Sequence, residues 1–569
     1  MDRKKLVAVL EERLTGQQSL FSDKYPEIAH IADEAMRNYD FVQSKSVIEK
    51  ASEERELVTI DLNSLNTFQH RSLGPDLVGH VFWQRLGLDK VLAGCGFSER
   101  ELALAQAVVV GRLVEPSSDL ATWGWLKDRS VLPELLPANI GNVGKDAVYE
   151  IADKLWDYKP QIEEALKAKE DELFPGRGSL FLYDLTNTYF EGSCLDNELA
   201  KRGHSKNKRN DCPLVTLALV IDESGFPITS RIYSGNQSEP ATLEEILEQL
   251  YPVGKDLSLF PSELPTIVMD RGIATKDNLA LLKERGYPYL LIERREVEKE
   301  YEAEFEQARE TFEKIKDREE GKDIYIKKID TEEGVRVLCL SDGREAKEEA
   351  INDLKEERFL ADLESLKASV AKGNVKLKNK VYERIGRINE RYPRIAPHYE
   401  IAVELNEDKS RAIEISYHKK ESLKQRRALS GCYVIETSHK DLEAEEIWRL
   451  YTTLVKVENS FRSLKTELGV RPIYHQSKDR TQGHLFISVL AYHLLNAIEK
   501  TLHQHEDRRS WSSIRKTLST HQRCTIIFKD EQGRIHHTRV SSTPESQHKE
   551  IYKRLEVKDP LKRKHTSIK

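Results

Sequence analysis

Ser179–Gly192 reads SLFLYDLTNTYFEG, an apolar run that ends on a carboxylate at Asp184. Pro265–Gly272, PTIVMDRG, repeats the design with Asp270. A strand that stays apolar up to a terminal acid delivers that acid to the edge of a sheet, where α/β proteins bind their ligands. A third acid has a different setting: Leu450–Lys465, LYTTLVKVENSFRSLK, has helical periodicity and carries Glu458. Carboxylates arriving from separate elements suit hard divalent cations with octahedral preference, Mg²⁺ or Mn²⁺. Two such ions clamp the attacking and leaving oxygens of a phosphodiester in an in-line displacement. One strand-end Asp alone is most often a turn former or helix cap.

The strands predicted around these acids are SLFLYD, CPLVTLALVID, FPITSRIYSG and PTIVMD, followed by a helix at KDNLALLKERG and a strand at YPYLLIE. Upstream, residues 1–175 read as mainly helical after a short strand at Leu57–Leu62. Ser98 with Glu101 forms a capping box opening SERELALAQAVVVGRLVEP, and Asp146 to Leu173 forms a second long helical pattern. Residues 296–428 alternate charged helical text with strand-like IYIKKI, VRVLCLS, HYEIAVEL and RAIEISYH, and GCYVIETS returns to core text before the Glu458 helix. TIIF and HHTRV near the end are strand-like.

The segments YDLTNTYFEG, MDRG and Y-x6-E-x6-K, in that order and with a charged insert before the last, resemble the DDE transposases of bacterial insertion sequences. The resemblance covers roughly residues 75–500 and is nearest to the group with a Y-x2-R-x3-E-x6-K signature. It implies an RNase H-like core, a mixed sheet with flanking helices interrupted by an insertion domain and preceded by a helical region. The expected division is 1–175, helical and binding DNA ends; 176–295, first part of the core; 296–428, an insertion domain of helix and β that contacts DNA; 429–505, second part of the core; and 506–569, a C-terminal tail. Carried over, the catalytic, metal-holding acids fall on Asp184, Asp270 and Glu458, and the phosphate-binding positions on Tyr451, Lys465 and Arg271. Leu454 stands where the signature has Arg and Ile273 where an aromatic residue is common; Arg462, one turn beyond Glu458, is the candidate substitute. Val457, Phe461, Leu464 and Leu468, with Leu450 and Leu454, supply a separate apolar stripe.

The family also implies two Mg²⁺ ions, replaceable by Mn²⁺, cleavage at element ends and strand transfer into target DNA, and a homodimer on double-stranded DNA. Arg471, His475, Arg480 and His484 are candidates for the DNA path, and tyrosines 301, 325, 382, 392, 399 and 417 for stacking on a displaced base. The rivals are an RNase H-like nuclease without strand transfer and a domesticated DNA-binding protein without catalysis.

The 569 residues exceed what one core supports, so several domains are expected. A net charge of −7 with 33% charged residues excludes a protein that coats DNA with its whole surface but leaves room for local basic grooves. Candidates are Lys201, Arg202, Lys206, Lys208 and Arg209, and a frayed tail at Lys562, Arg563 and Lys564. The six cysteines lack paired spacing, so neither a zinc site nor a disulfide framework is expected. No apolar run of membrane-spanning length and no signal-peptide pattern is read, which places the protein in the bacterial cytoplasm, within reach of the nucleoid.

Overall fold

The computed structural model describes residues 9, 31–32, 57–175, 179–203, 209, 211–250, 264–316, 323–332, 334–420 and 429–568. In chain order the strands are β1 (Ile60–Ser72), β2 (Leu180–Tyr189), β3 (Leu214–Asp222), β4 (Pro227–Ser234), β5 (Thr266–Met269), β6 (Tyr289–Ile292), β7 (Glu313–Lys316), β8 (Asp323–Asp330), β9 (Val335–Ser341), β10 (Tyr399–Leu405), β11 (Ala412–Lys419), β12 (Cys432–Thr437), β13 (Gln522–Asp530), β14 (Ile535–Ser541) and β15 (Lys564–Ile568). The principal helices are α1 (Glu99–Val114), α2 (Asp119–Asp128), α3 (Lys145–Asp157), α4 (Lys159–Leu173), α5 (Arg295–Glu300), α6 (Asp342–Ala371), α7 (Lys378–Arg391), α8 (Ala444–Thr452), α9 (Leu454–Thr466) and α10 (Lys478–Gln504). The fold is mixed α/β with a large mixed sheet and a helical N-terminal region.

The chain forms two compact units, residues 1–178, 184–238 and 456–569 in one and 179–183 with 239–455 in the other. In the first unit, helices α1 to α4 pack with α10. The Ser98 hydroxyl accepts from Glu101 N while Glu101 Oε2 accepts from Ser98 N at 2.8 Å, the expected capping box. The long pattern from Asp146 is two helices, because Pro160 opens a new helix after Tyr158. Strand β3 is buried along its whole length, as a near-continuous apolar run requires, and the strand order here is β4-β3-β2. α10 is long and apolar enough to cross a membrane, contrary to the reading from sequence, but 83% of its apolar window is buried inside the protein. That burial marks it as a core helix.

Also in this unit, β1 runs further than expected and pairs antiparallel with β13, followed by β14 and β15. The chain end is therefore an edge strand, with Lys564 opposite Arg539, where a frayed tail had been expected.

In the second unit the order is β2-β5-β6-β12-β9-β8-β7, parallel from β2 to β6 and antiparallel beyond. Strands β7 to β9, read from sequence as insertion, continue the core sheet. The rest of the insert builds its own core, in which Phe359, Leu363 and Leu366 of α6 meet Val381, Ile385 and Ile388 of α7 and Ile415 of the β10-β11 hairpin.

Candidate active site

Leu180, Phe181, Leu182 and Tyr183 are buried and pair in parallel with Thr266 to Met269 of β5, the last rung being Tyr183 with Met269. In each strand the next residue is an aspartate, Asp184 or Asp270, and each is only half-buried. The strand β2 does not stop at Asp184, as the sequence implied, but runs on to Tyr189. What ends there is its pairing with β5.

Asp270 closes a tight turn. Its Oδ1 accepts Gly272 N at 2.9 Å and Ile273 N at 3.2 Å, and its carbonyl accepts Ala274 N at 3.1 Å. A Cβ on Gly272 would stand 3.1 Å from Glu239 Oε2 and 3.2 Å from Asp270 Oδ1, so the glycine lets two carboxylates approach one point. Glu239 was missed from the sequence, where SEPAT reads as a helix start. No motif in the sequence around it singles it out. Arg271 Nη2 is held by Glu298 Oε1 of α5 at 2.6 Å. Burial raises the Glu298 carboxyl above its ordinary range even with the guanidinium beside it.

Glu458 is exposed on α9, with Arg462 exposed one turn on and Lys465 half-buried two turns on. The opposite side of α9 is fixed: Val457, Phe461 and Leu464 are buried, as is Leu468 just beyond, and the Ser460 hydroxyl accepts the Tyr492 hydroxyl of α10 at 2.6 Å. The signature is not one continuous helix. It breaks between α8 and α9, where the Thr452 and Thr453 hydroxyls bond the Arg449 and Leu450 carbonyls at 2.7 and 2.5 Å. Such bonds to the preceding turn bend helices. Tyr451 therefore ends α8, its ring 5.7 Å from Tyr433, while Glu458, Arg462 and Lys465 share α9. Leu450 and Leu454 flank the break and are only half-buried.

Past α9, three of the residues expected along a DNA path are engaged within the first unit. Asp119 of α2 pairs with His475 Nε2 at 2.7 Å, with Arg112 Nη2 of α1 at 3.3 Å and with His484 Nδ1 of α10 at 3.7 Å; Arg480 pairs with Asp153 at 2.9 Å. Burial opposes the charge on Asp119, but hydrogen bonds from both histidines and the Arg112 charge outweigh it and hold the carboxyl well below its usual range. Burial and the Arg112 charge push His484 down to about 4. Ligand atoms of Asp119, His475 and His484 lie within 4.8 Å of one another, yet Arg112 Nη2 also sits 3.1 Å from His484 Nδ1. A guanidinium already fills the place a cation would take. Arg112 also reaches the Gly469 carbonyl at 3.5 Å, tying the chain just after α9 to the helical unit.

Tyrosines of the insert bond its own side chains: Tyr399 to Glu356, Tyr392 to Asp362 and Tyr301 to Arg336, while Tyr382 remains 47% exposed. Of the basic loop, Arg209 pairs with Asp211, whereas Lys206 and Lys208 lie outside the described residues.

An α/β core that places carboxylates directly after the last rung of two neighbouring parallel strands has the chemistry of a metal-dependent phosphoryl transferase. The chain belongs to the family described as the transposase DDE domain, which it matches over residues 175–494, more than half its length. It is therefore a polynucleotidyl transferase of DNA transposition that works with divalent metal ions. No curated protein matches the chain. Among solved structures, it is similar to the cryo-EM structure of a piggyBac transposase synaptic complex with hairpin DNA, at 9% identity and a TM-score of 0.35 over 74% of this chain and 70% of that one.

Proposed function

We propose that the protein is the transposase of a bacterial insertion sequence, of the group with the Y-R-E-K helix signature, and that it cuts the ends of its own element and joins them to target DNA. The observation that carries this reading is the rung of Tyr183 with Met269, followed in both strands by an aspartate. Asp184, Asp270 and Glu458 would hold two Mg²⁺ ions, with Mn²⁺ as a substitute; their hard oxygen donors fit such ions, which when bound stabilise both the attacking and the leaving oxygen. Arg462 and Lys465 would hold a phosphate beside Glu458 on α9, and Tyr451 and the remaining donors of Arg271 would orient the strand. Water is the nucleophile at the element boundary, and the freed 3′-hydroxyl is the nucleophile at the target. The working species is a homodimer on double-stranded DNA in the cytoplasm.

The test is incubation of the purified protein with duplexes carrying the element's ends and a target plasmid, in Mg²⁺ or Mn²⁺. End nicks together with joined products are expected. Nicks without joining would assign a nuclease instead, and end binding with neither product would assign a DNA-binding protein that has lost catalysis.

A further inference from the structure

The chain carries a net charge of −7, but residues 372–394, KGNVKLKNKVYERIGRINERYPR, hold eight Lys and Arg against two Glu. Helix α7 sorts them. Val381, Ile385 and Ile388 face the insert's own core, whereas Lys380, Arg384, Arg387 and Arg391 follow at spacings of four, three and four, share a separate stripe, and are all exposed. The stripe is about 16 Å long at a rise of 1.5 Å per residue. Arg387 bonds Glu383 and Arg391 bonds Asp362, exposed pairs that solvent screens, and among the described residues Lys380 and Arg384 have no ion partner. The hairpin turn extends the charge. Leu377 bridges to Arg411, and Lys378 N donates to the Ser410 carbonyl, which sets exposed Lys409 and Arg411 beside the start of α7. The exposed side of the same hairpin is acidic, with Glu400 on it and Glu404 directly opposite Glu414.

We propose that the Lys380–Arg391 stripe of α7 is a surface that tracks the phosphate backbone of duplex DNA without reading sequence. This rests on the transposase reading, and it names the face by which the insert meets its substrate. A polyanion is drawn to the stripe and repelled by the acidic hairpin face, so the charge pattern also orients the domain. A membrane surface fits poorly, because an interfacial helix must offer its apolar face to lipid and that of α7 is buried in the insert's core.

The test measures binding of the full chain to a short random-sequence duplex between about 50 and 200 mM salt, a binding readout that needs no cleavage. For the double variant Lys380→Glu, Arg384→Glu, affinity at low salt is expected to fall about tenfold or more, with the slope of log K against log salt shallower by about 0.9 per lost contact. Lys380→Gln with Arg384→Gln should show the same slope change, and covers the case in which the Glu pair disturbs folding as judged by thermal melting. Unchanged affinity and slope in a folded variant overturns the proposal, as does a loss confined to phosphatidylserine vesicles. Metal-dependent nicking of element ends by the unaltered protein tests the transposase reading separately.

Discussion

For Asp184 and Asp270, residue type alone leaves the role open. An isolated strand-end Asp is usually a turn former, and Asp270 does close a turn through its Oδ1. Its Oδ2 is not used in that turn, and Glu239 stands across Gly272 from it. Replacing Asp184, Asp270 or Glu458 with Ala should abolish cleavage while leaving binding to element ends intact or tighter, since a carboxylate repels phosphate. Gel-shift and nicking assays on one preparation check this, and Mg²⁺-dependent nicking by the Asp270→Ala protein would show the wrong acid was named. On α9, Lys465→Ala and Arg462→Ala should each slow strand transfer at fixed salt without lowering the melting temperature; full activity in both would make that face an ordinary solvated stripe. Away from the site, Asp76 is fully buried, accepting the Ser130 hydroxyl at 2.5 Å and the Val131 and Leu132 amides, and burial pushes its carboxyl up to about 7. The protonated form is favoured by folding, so its stabilisation is complete below the ordinary carboxylate range and is lost as pH rises to about 7. Asp76→Asn keeps an acceptor and drops the charge. It should melt above the wild type at pH 8 and not at pH 4, and a variant that melts lower at both values would refute the assignment.

At the scale of elements, what could be read in the sequence depended on how local the determinant was. Strands β2 to β6 and β8 to β12 were legible because apolar runs and turn residues are written within a few positions. The Ser98 capping box was legible for the same reason. The break at Thr453 was not, because it arises from hydroxyl bonds to the previous turn that periodicity does not register. Nor was the pairing of β1 with β13, whose partners stand hundreds of residues apart. The engagement of His475 and His484 by Asp119 was not legible either, because Asp119 lies far upstream on α2. That cluster makes a prediction about the helical unit. Arg112 is 2% exposed and Asp119 5%, so Arg112→Ala leaves a buried carboxylate short of a partner and should cost about 3–5 kcal/mol in chemical denaturation. Replacing both residues together, Arg112→Met with Asp119→Leu, should cost less than the single change. A double variant as unstable as the sum of the singles would mean the pair is not coupled.

For the molecule as a whole, the three acids belong to a fold whose cores are built without them: β3 and α10 in one unit, the sheet and the α6-α7 layer in the other. Metal held by these acids would serve chemistry and not folding, unlike a structural zinc site in which binding is the folding free energy. Chelation should leave the circular dichroism spectrum unchanged while abolishing cleavage. An ion that binds only the folded chain stabilises it by mass action, about 2.7 kcal/mol when present at a hundred times its dissociation constant. Mg²⁺ and Mn²⁺ should therefore raise the melting temperature of the wild type in a saturable way. Asp270→Asn removes a negative charge from the neighbourhood of Glu239, so without metal this variant should melt at or above the wild type, and it should gain little when the ion is added. Equal gains in wild type and variant would place the stabilising ion away from Asp270, and unfolding on chelation would contradict the separation of core from site.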